Sequence, residues 1–209
     1  MQHSLGERKT TAVHGLACVR HPSMLRLEGH LATRAAPRRQ AISKCLGTAC
    51  PYHVAETVLA QRHETILLQG VTGSGKTAAF LLPILHRMLG KPREGKHTRA
   101  LILSPTRELA IQTVEELNAL GVHTPLSAAA IIGGVGMGPQ EHALRSGTDV
   151  IVACPGRLLD HMQSGNYVDF SALEVLVLDE ADRMLDMGFL PDIRRILKLL
   201  PKVRQTLFF

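Results

Sequence analysis

From Thr65 onward, short uninterrupted apolar runs alternate with longer helix-like segments, and no other feature of the chain restricts its fold as strongly. The runs are TILLQG (65–70), RALILSP (99–105), LSAAAII (126–132), DVIVAC (149–154), LEVLVLDE (173–180) and RQTLFF (204–209). Between them lie helix-like segments at 76–89, 107–120, 138–146, 156–163 and 190–200. A strand that is apolar along its whole length must be covered on both faces. The pattern therefore predicts an α/β fold, a mostly parallel sheet with helices on both sides. Right-handed crossovers would bring every strand's carboxyl end to one edge, where such folds bind their ligands. Aromatic residues make up only 3% of the chain, so the core must be built chiefly from Leu, Ile, Val and Ala. Met184, Leu185 and Phe189 are expected in that core. So is one face of the last helix, Ile193, Ile196, Leu197 and Leu200, with Arg194, Arg195 and Lys198 turned to solvent.

The first strand runs into GVTGSGKT (70–77), which fits the pattern G-x-x-x-x-G-K-[ST] in full. The strand before it and the helix after it are the context a phosphate-binding loop requires. Gly73 and Gly75 let backbone N–H groups turn inward around a phosphate, and the helix start adds partial positive charge. Thr72, Gly73, Ser74, Gly75, Lys76 and Thr77 are thus the candidate cradle for a nucleoside triphosphate such as ATP. Lys76 can reach the β and γ phosphates, and the Thr77 hydroxyl can ligate Mg²⁺.

The fifth apolar run delivers the chain to Asp179, Glu180 and Asp182. Carboxylates at the tip of a buried strand are costly unless a cation is near. A phosphate loop at the same edge supplies that cation. Asp179 is then placed to hold Mg²⁺ through water, and Glu180 to orient or deprotonate the attacking water. Chemistry of this kind is mostly positioning and charge stabilisation. Taken alone, the acids are equally what a helix amino terminus attracts.

The residues DEAD (179–182) carry a family resemblance, and further stretches follow in order. PTRELA (105–110), Gly133-Gly134, CPGR (154–157) and LDEADRMLDMGF (178–189) make residues 51–209 resemble the first RecA-like domain of the DEAD-box ATP-dependent RNA helicases. The resemblance implies a RecA-like P-loop NTPase fold, ATP and Mg²⁺ as cofactors, and RNA as partner. It places Thr106, Arg107, Glu108, Gly134, Gly156 and Arg157 along the RNA path, and makes Lys76, Asp179, Glu180 and Asp182 the catalytic set. The residues agree in kind. Arg107 and Arg157 follow strand ends and can each meet a phosphate, while the glycines admit a sugar-phosphate backbone. Contacts to the backbone carry little sequence preference, and the 2′-hydroxyl is what would favour RNA.

The sequence departs from the family in three places. His53 stands where the family has a glutamine that reads adenine, and imidazole cannot offer a paired amide donor and acceptor. The family's base-stacking aromatic upstream of it is also missing. Cys154 replaces a threonine and removes a hydroxyl near the RNA path, an effect of ~1 kcal/mol or less. The sequence stops at TLFF, before the position of the family's Ser-Ala-Thr motif, which Asp182 helps connect to the ATP site, and before its second RecA-like domain. That domain, in cis or in trans, supplies arginine fingers that can each be worth ~10³–10⁵ in rate. This chain by itself is therefore expected to bind nucleotide better than it hydrolyses it, and to need the second domain for RNA unwinding. Two other readings stay open. One is a non-catalytic remnant that binds RNA or a partner. The other is a DNA-translocase fragment, because LLQGVTGSGKT resembles the loop of some DNA-translocating helicases.

Residues 1–50 differ from the rest. They hold eight of the 24 Lys and Arg and two of the 18 Asp and Glu, leaving 16 of each sign beyond position 50. The basic excess is thus confined to a segment with no sustained period, expected to be poorly ordered. The four cysteines form no disulfide framework, Cys18, His21, Cys45, Cys50 and His53 are too irregularly spaced for zinc, and no apolar run reaches membrane-spanning length. The expectation is a cytoplasmic location, or an organelle if residues 1–50 act as a transit peptide.

Overall fold

The computed structural model describes residues 65–67, 76–91, 95–165 and 167–209; for the first of these only the backbone is described. Six strands form one sheet: β1 (Thr65–Leu67), β2 (Ala100–Leu103), β3 (Ala128–Ile131), β4 (Val150–Ala153), β5 (Val175–Leu178) and β6 (Gln205–Phe208). Their order across the sheet is β1-β6-β5-β2-β4-β3, and every neighbouring pair is parallel. Each strand lies inside one of the six apolar runs. The helices are α1 (Lys76–Leu89), α2 (Arg107–Leu120), α3 (Met137–Ser146), α4 (Pro155–Ser164), α5 (Ala181–Asp186) and α6 (Leu190–Leu199).

The chain crosses the sheet twice. It first moves from β1 through β2 to β3 with α1 and α2 on one face, then returns through β4 and β5 to β6 with α3 to α6 on the other. A reversal of direction with right-handed crossovers sends the connecting helices to the opposite face. Two cores result. Phe80, Leu81, Ile84 and Met88 of α1 meet Ile102, Val152, Val177 and Leu207. Leu158 of α4, Met184 of α5, and Ile193 and Ile196 of α6 meet Leu101, Ile151, Leu176 and Phe208. Alternate residues of the same strands thus serve opposite faces, as strand geometry dictates. Each such fully buried side chain contributes about 1.5–3 kcal/mol. Phe80 and Phe209 tie α1 to the end of β6, their ring centroids 4.9 Å apart and edge to face.

Helix α1 spans the expected 76–89 and continues through Pro83, because six of its other residues are buried in the first core and tertiary packing overrides the local cost of proline. Two details differ from the sequence expectation. A short helix, α5, begins directly after Asp179 and Glu180 and includes Asp182. Arg194 is half-buried rather than turned to solvent, and its Nε is buried without a partner.

Candidate active site and nucleic-acid interface

Because all strands run the same way, the segments after β1, β5, β2, β4 and β3 emerge along one edge in that order. Helix α1 opens with Lys76 and Thr77, both half-buried, and has no acidic residue in its first turn. The remaining loop candidates, Thr72, Gly73, Ser74 and Gly75, lie outside the described residues, as do His53 and residues 1–50.

Asp179 follows β5 and keeps the sheet going, its amide donating to the Leu103 carbonyl at 2.9 Å. It is 7% exposed. Burial, and then repulsion from Glu180, push its carboxyl up to about 6; the charge of Lys76 and the Glu180 amide oppose the shift, and Glu116 adds a small further rise. A buried carboxyl whose pKa is raised is short of positive charge, so the site suits a cation. Mg²⁺ is commonly held by one or two carboxylates completed by substrate phosphates, and Asp179 with Thr77 is a donor set of that kind.

Glu180 has φ 48° and ψ 50°, the sole non-glycine residue with positive φ among the described residues. Held left-handed, it turns the chain out of the strand, and its carboxylate meets Arg183 at 2.9 Å. Asp182 is exposed and accepts the Arg183 amide at 2.8 Å. The turn is fixed from β6 as well: the Ala181 amide donates to Phe209, and the Phe209 amide to Leu178, each at 2.9 Å. Sequence reasoning missed Ser104. It sits one residue beyond the paired Leu103 and Leu178, fully buried, with a hydroxyl that has no hydrogen-bond partner.

The other candidates gather at the ends of β2, β4 and β3. Thr106 caps α2, accepting the Leu109 amide at 3.3 Å, and Glu108 is exposed in the first turn of that helix. Arg107 is exposed, and its guanidinium lies against Gly134, where any Cβ would collide with it. Gly134 has φ 75°, a backbone conformation that favours glycine. Arg157, in the first turn of α4, donates to the Val135 carbonyl at 3.0 Å. Gly156 has open space around the position a Cβ would take. Cys154 caps α4 in extended conformation but makes no side-chain cap bond. Its thiol is pushed up first by burial and then by Glu108, and Arg107 opposes this, which puts all three side chains in one neighbourhood.

The structure thus brings Lys76, Thr77, Asp179 and Glu180 to one half of the edge and Arg107, Gly134, Gly156 and Arg157 to the other. Comparison with known proteins shows the family and the fold. Residues 51–209 match the family model described as DEAD/DEAH box helicase. ATP-dependent RNA helicase drs1 of Aspergillus fumigatus is 44% identical over 162 residues, and DEAD-box ATP-dependent RNA helicase 28 of Arabidopsis thaliana 45% over 159. These matches cover 78% and 76% of this chain and 20% of each relative, so the chain spans about a fifth of their length. The crystal structure of a DEAD box protein from the hyperthermophile Methanococcus jannaschii superposes with a TM-score of 0.66 at 38% identity, over 75% of this chain and 41% of that one.

Proposed function

The chain belongs to the DEAD/DEAH box helicase family, and from that premise we propose that it binds ATP with Mg²⁺ at the β1–β5 half of the edge and the backbone of RNA at the β2–β3 half. One observation supports the reading: the Asp179 carboxyl is buried at the tip of β5 and feels the charge of Lys76, which opens α1.

In this reading the Gly73–Thr77 turn cradles the phosphates and Lys76 neutralises their charge. Thr77 and Asp179 would hold the Mg²⁺, which when bound withdraws charge from the phosphoryl oxygens. Glu180 accepts a hydrogen bond from the attacking water and then its proton, while Arg183 fixes the second carboxylate oxygen. Asp182 would help connect the ATP site to the family's Ser-Ala-Thr motif. Arg107 and Arg157 meet phosphates of the RNA strand, with Thr106 and Glu108 beside them, and Gly134 and Gly156 leave room for the sugar-phosphate backbone. Hydrolysis coupled to strand separation calls for a second RecA-like domain, in cis or in trans, to close over both halves and supply arginines. Among the described residues no helix is long and apolar enough to cross a membrane; a cytoplasmic location is part of the proposal.

The test is nucleotide binding by Lys76→Ala. The substitution should weaken binding of a fluorescent ATP analogue at least about a hundredfold, since it removes a desolvated charge pair. Unchanged binding would refute the site.

A further inference from the structure

We propose that Gln140 is the positioning residue that shapes the 133–136 glycine turn for nucleic-acid phosphate, a role that rests on the RNA-binding reading above. Among the described residues β3 is an edge strand, paired only with β4. The last β3 carbonyl, of Ile131, accepts the Cys154 amide at 2.9 Å. The polar backbone of Ile132, the next residue, then faces away from the sheet, where no strand can satisfy it. A buried N–H and C=O in that position need another partner.

Gln140 provides it. Its side chain reaches back from the first turns of α3 and is 5% exposed. Oε1 accepts the Ile132 amide at 3.0 Å, and Nε2 donates to the Ile132 carbonyl at 3.0 Å. The primary amide thus imitates one rung of a neighbouring strand. The second hydrogen of Nε2 goes to the Gly136 carbonyl at 3.2 Å. One side chain therefore grips the turn at its entrance and its exit.

What lies between those grips is the functional part. Gly134 sits at positive φ with the Arg107 guanidinium against it, and the Val135 carbonyl holds Arg157. The two guanidiniums come from different helices on opposite faces of the sheet, and the turn is the element common to both. If the turn slackens, Arg157 loses its acceptor and Arg107 its wall. Gln140 touches neither nucleotide nor RNA in this arrangement and acts only through the turn.

The experiment compares Gln140→Met, which keeps the length and loses all three bonds, with Gln140→Glu, which keeps an acceptor for the Ile132 amide and loses both donors. On the same chain one measures affinity for a 12-nucleotide single-stranded RNA, affinity for a fluorescent ATP analogue, and hydrogen exchange of the Ile132 amide. Both variants should bind RNA about tenfold more weakly, the loss of one well-placed phosphate contact, with nucleotide affinity changed less than about twofold. Ile132 exchange should be faster in Gln140→Met than in Gln140→Glu. RNA affinity equal to wild type in a variant with faster Ile132 exchange overturns the proposal. A wild-type chain that binds no RNA, or whose binding ignores Arg107→Ala and Arg157→Ala, overturns the RNA reading and this inference together. If those two changes weaken RNA binding and the Gln140 variants do not, only the inference falls. Should Gln140→Met not fold, Gln140→Glu alone decides.

Discussion

At the β5 end of the sheet's carboxyl edge a carboxyl group is withdrawn from water, whereas at the β2 end Arg107 stands in solvent and Arg157 is fastened by a backbone carbonyl. The two halves share one sheet, one strand direction and the same kind of strand-to-helix junction. They differ in what the junction is asked to hold. The β5 half stores an unfavourable charge environment around Asp179, which a bound cation would relieve, and a left-handed Glu180. The β2–β3 half stores shape: a glycine turn, two guanidiniums and open space over Gly156. A site of the first kind should be costly to keep and severe to lose. One of the second kind should be cheap to keep and graded in its losses.

Asp179→Asn probes the first half and has the largest expected effect. It should abolish Mg²⁺-dependent nucleotide binding and, in metal-free buffer, make the chain more stable. The sign follows from linkage. The folded-state pKa of about 6 lies above the ordinary 3.8. The contribution of Asp179 is therefore fully present below about 3.8 and is lost as pH rises through about 6. At neutral pH the ionised carboxylate costs up to about 3 kcal/mol, which asparagine avoids. Melting temperatures of the two proteins should differ at pH 7.5 and draw together as pH falls through 6, converging only near pH 4. A variant no more stable than wild type at pH 7.5 would mean that Asp179 is not held under electrostatic strain, and the contrast between the halves would fail.

Arginine substitutions probe the second half. Arg107→Ala and Arg157→Ala should each weaken binding of single-stranded RNA about tenfold and lower the salt slope of log affinity by about one unit. Nucleotide binding should not change. Arg157→Ala should be the more severe, because Arg157 also steadies the Val135 carbonyl while Arg107 only lies against Gly134. Loss of nucleotide affinity in either variant would merge the two halves into one site.

How much of this is legible in the sequence follows the same division. All six strands fall inside the apolar runs, because continuous hydrophobicity over four to eight residues is a local signal. The loop around Lys76 and the acids at 179–182 are legible as patterns in the chain. The insertion of β6 between β1 and β5 is not, since strand order is decided by contacts distant in sequence. Helix α5 has only six residues, too few to show a period, and its N-cap, Glu180, has a left-handed backbone that no propensity would favour. Gln140 looks like any polar helix residue; the one available hint is that it lies a turn before Leu144, on what proves to be the buried face of α3. Ser104 gives no hint at all, since a serine before a proline is ordinary at a strand end.

The smallest effect tests the claim that the second half is built on shape. Cys154 occupies the N-cap position of α4 with φ −77° and ψ 133°, the extended conformation a cap needs, yet its side chain makes no cap bond. Pro155 at the first helical position leaves the amides of Gly156 and Arg157 as the donors a capping hydroxyl would satisfy. Cys154→Thr should therefore stabilise the domain by about 0.5–1 kcal/mol, read as a rise of about 1–4 °C in melting temperature. A cap that engages the Arg157 amide also steadies the backbone that carries its guanidinium, so RNA affinity should rise by about twofold or less and nucleotide affinity should stay constant. If the melting temperature rises and RNA affinity does not, the first turn of α4 is already rigid enough without its cap, and the turn gripped by Gln140 is left as the one adjustable element of that half.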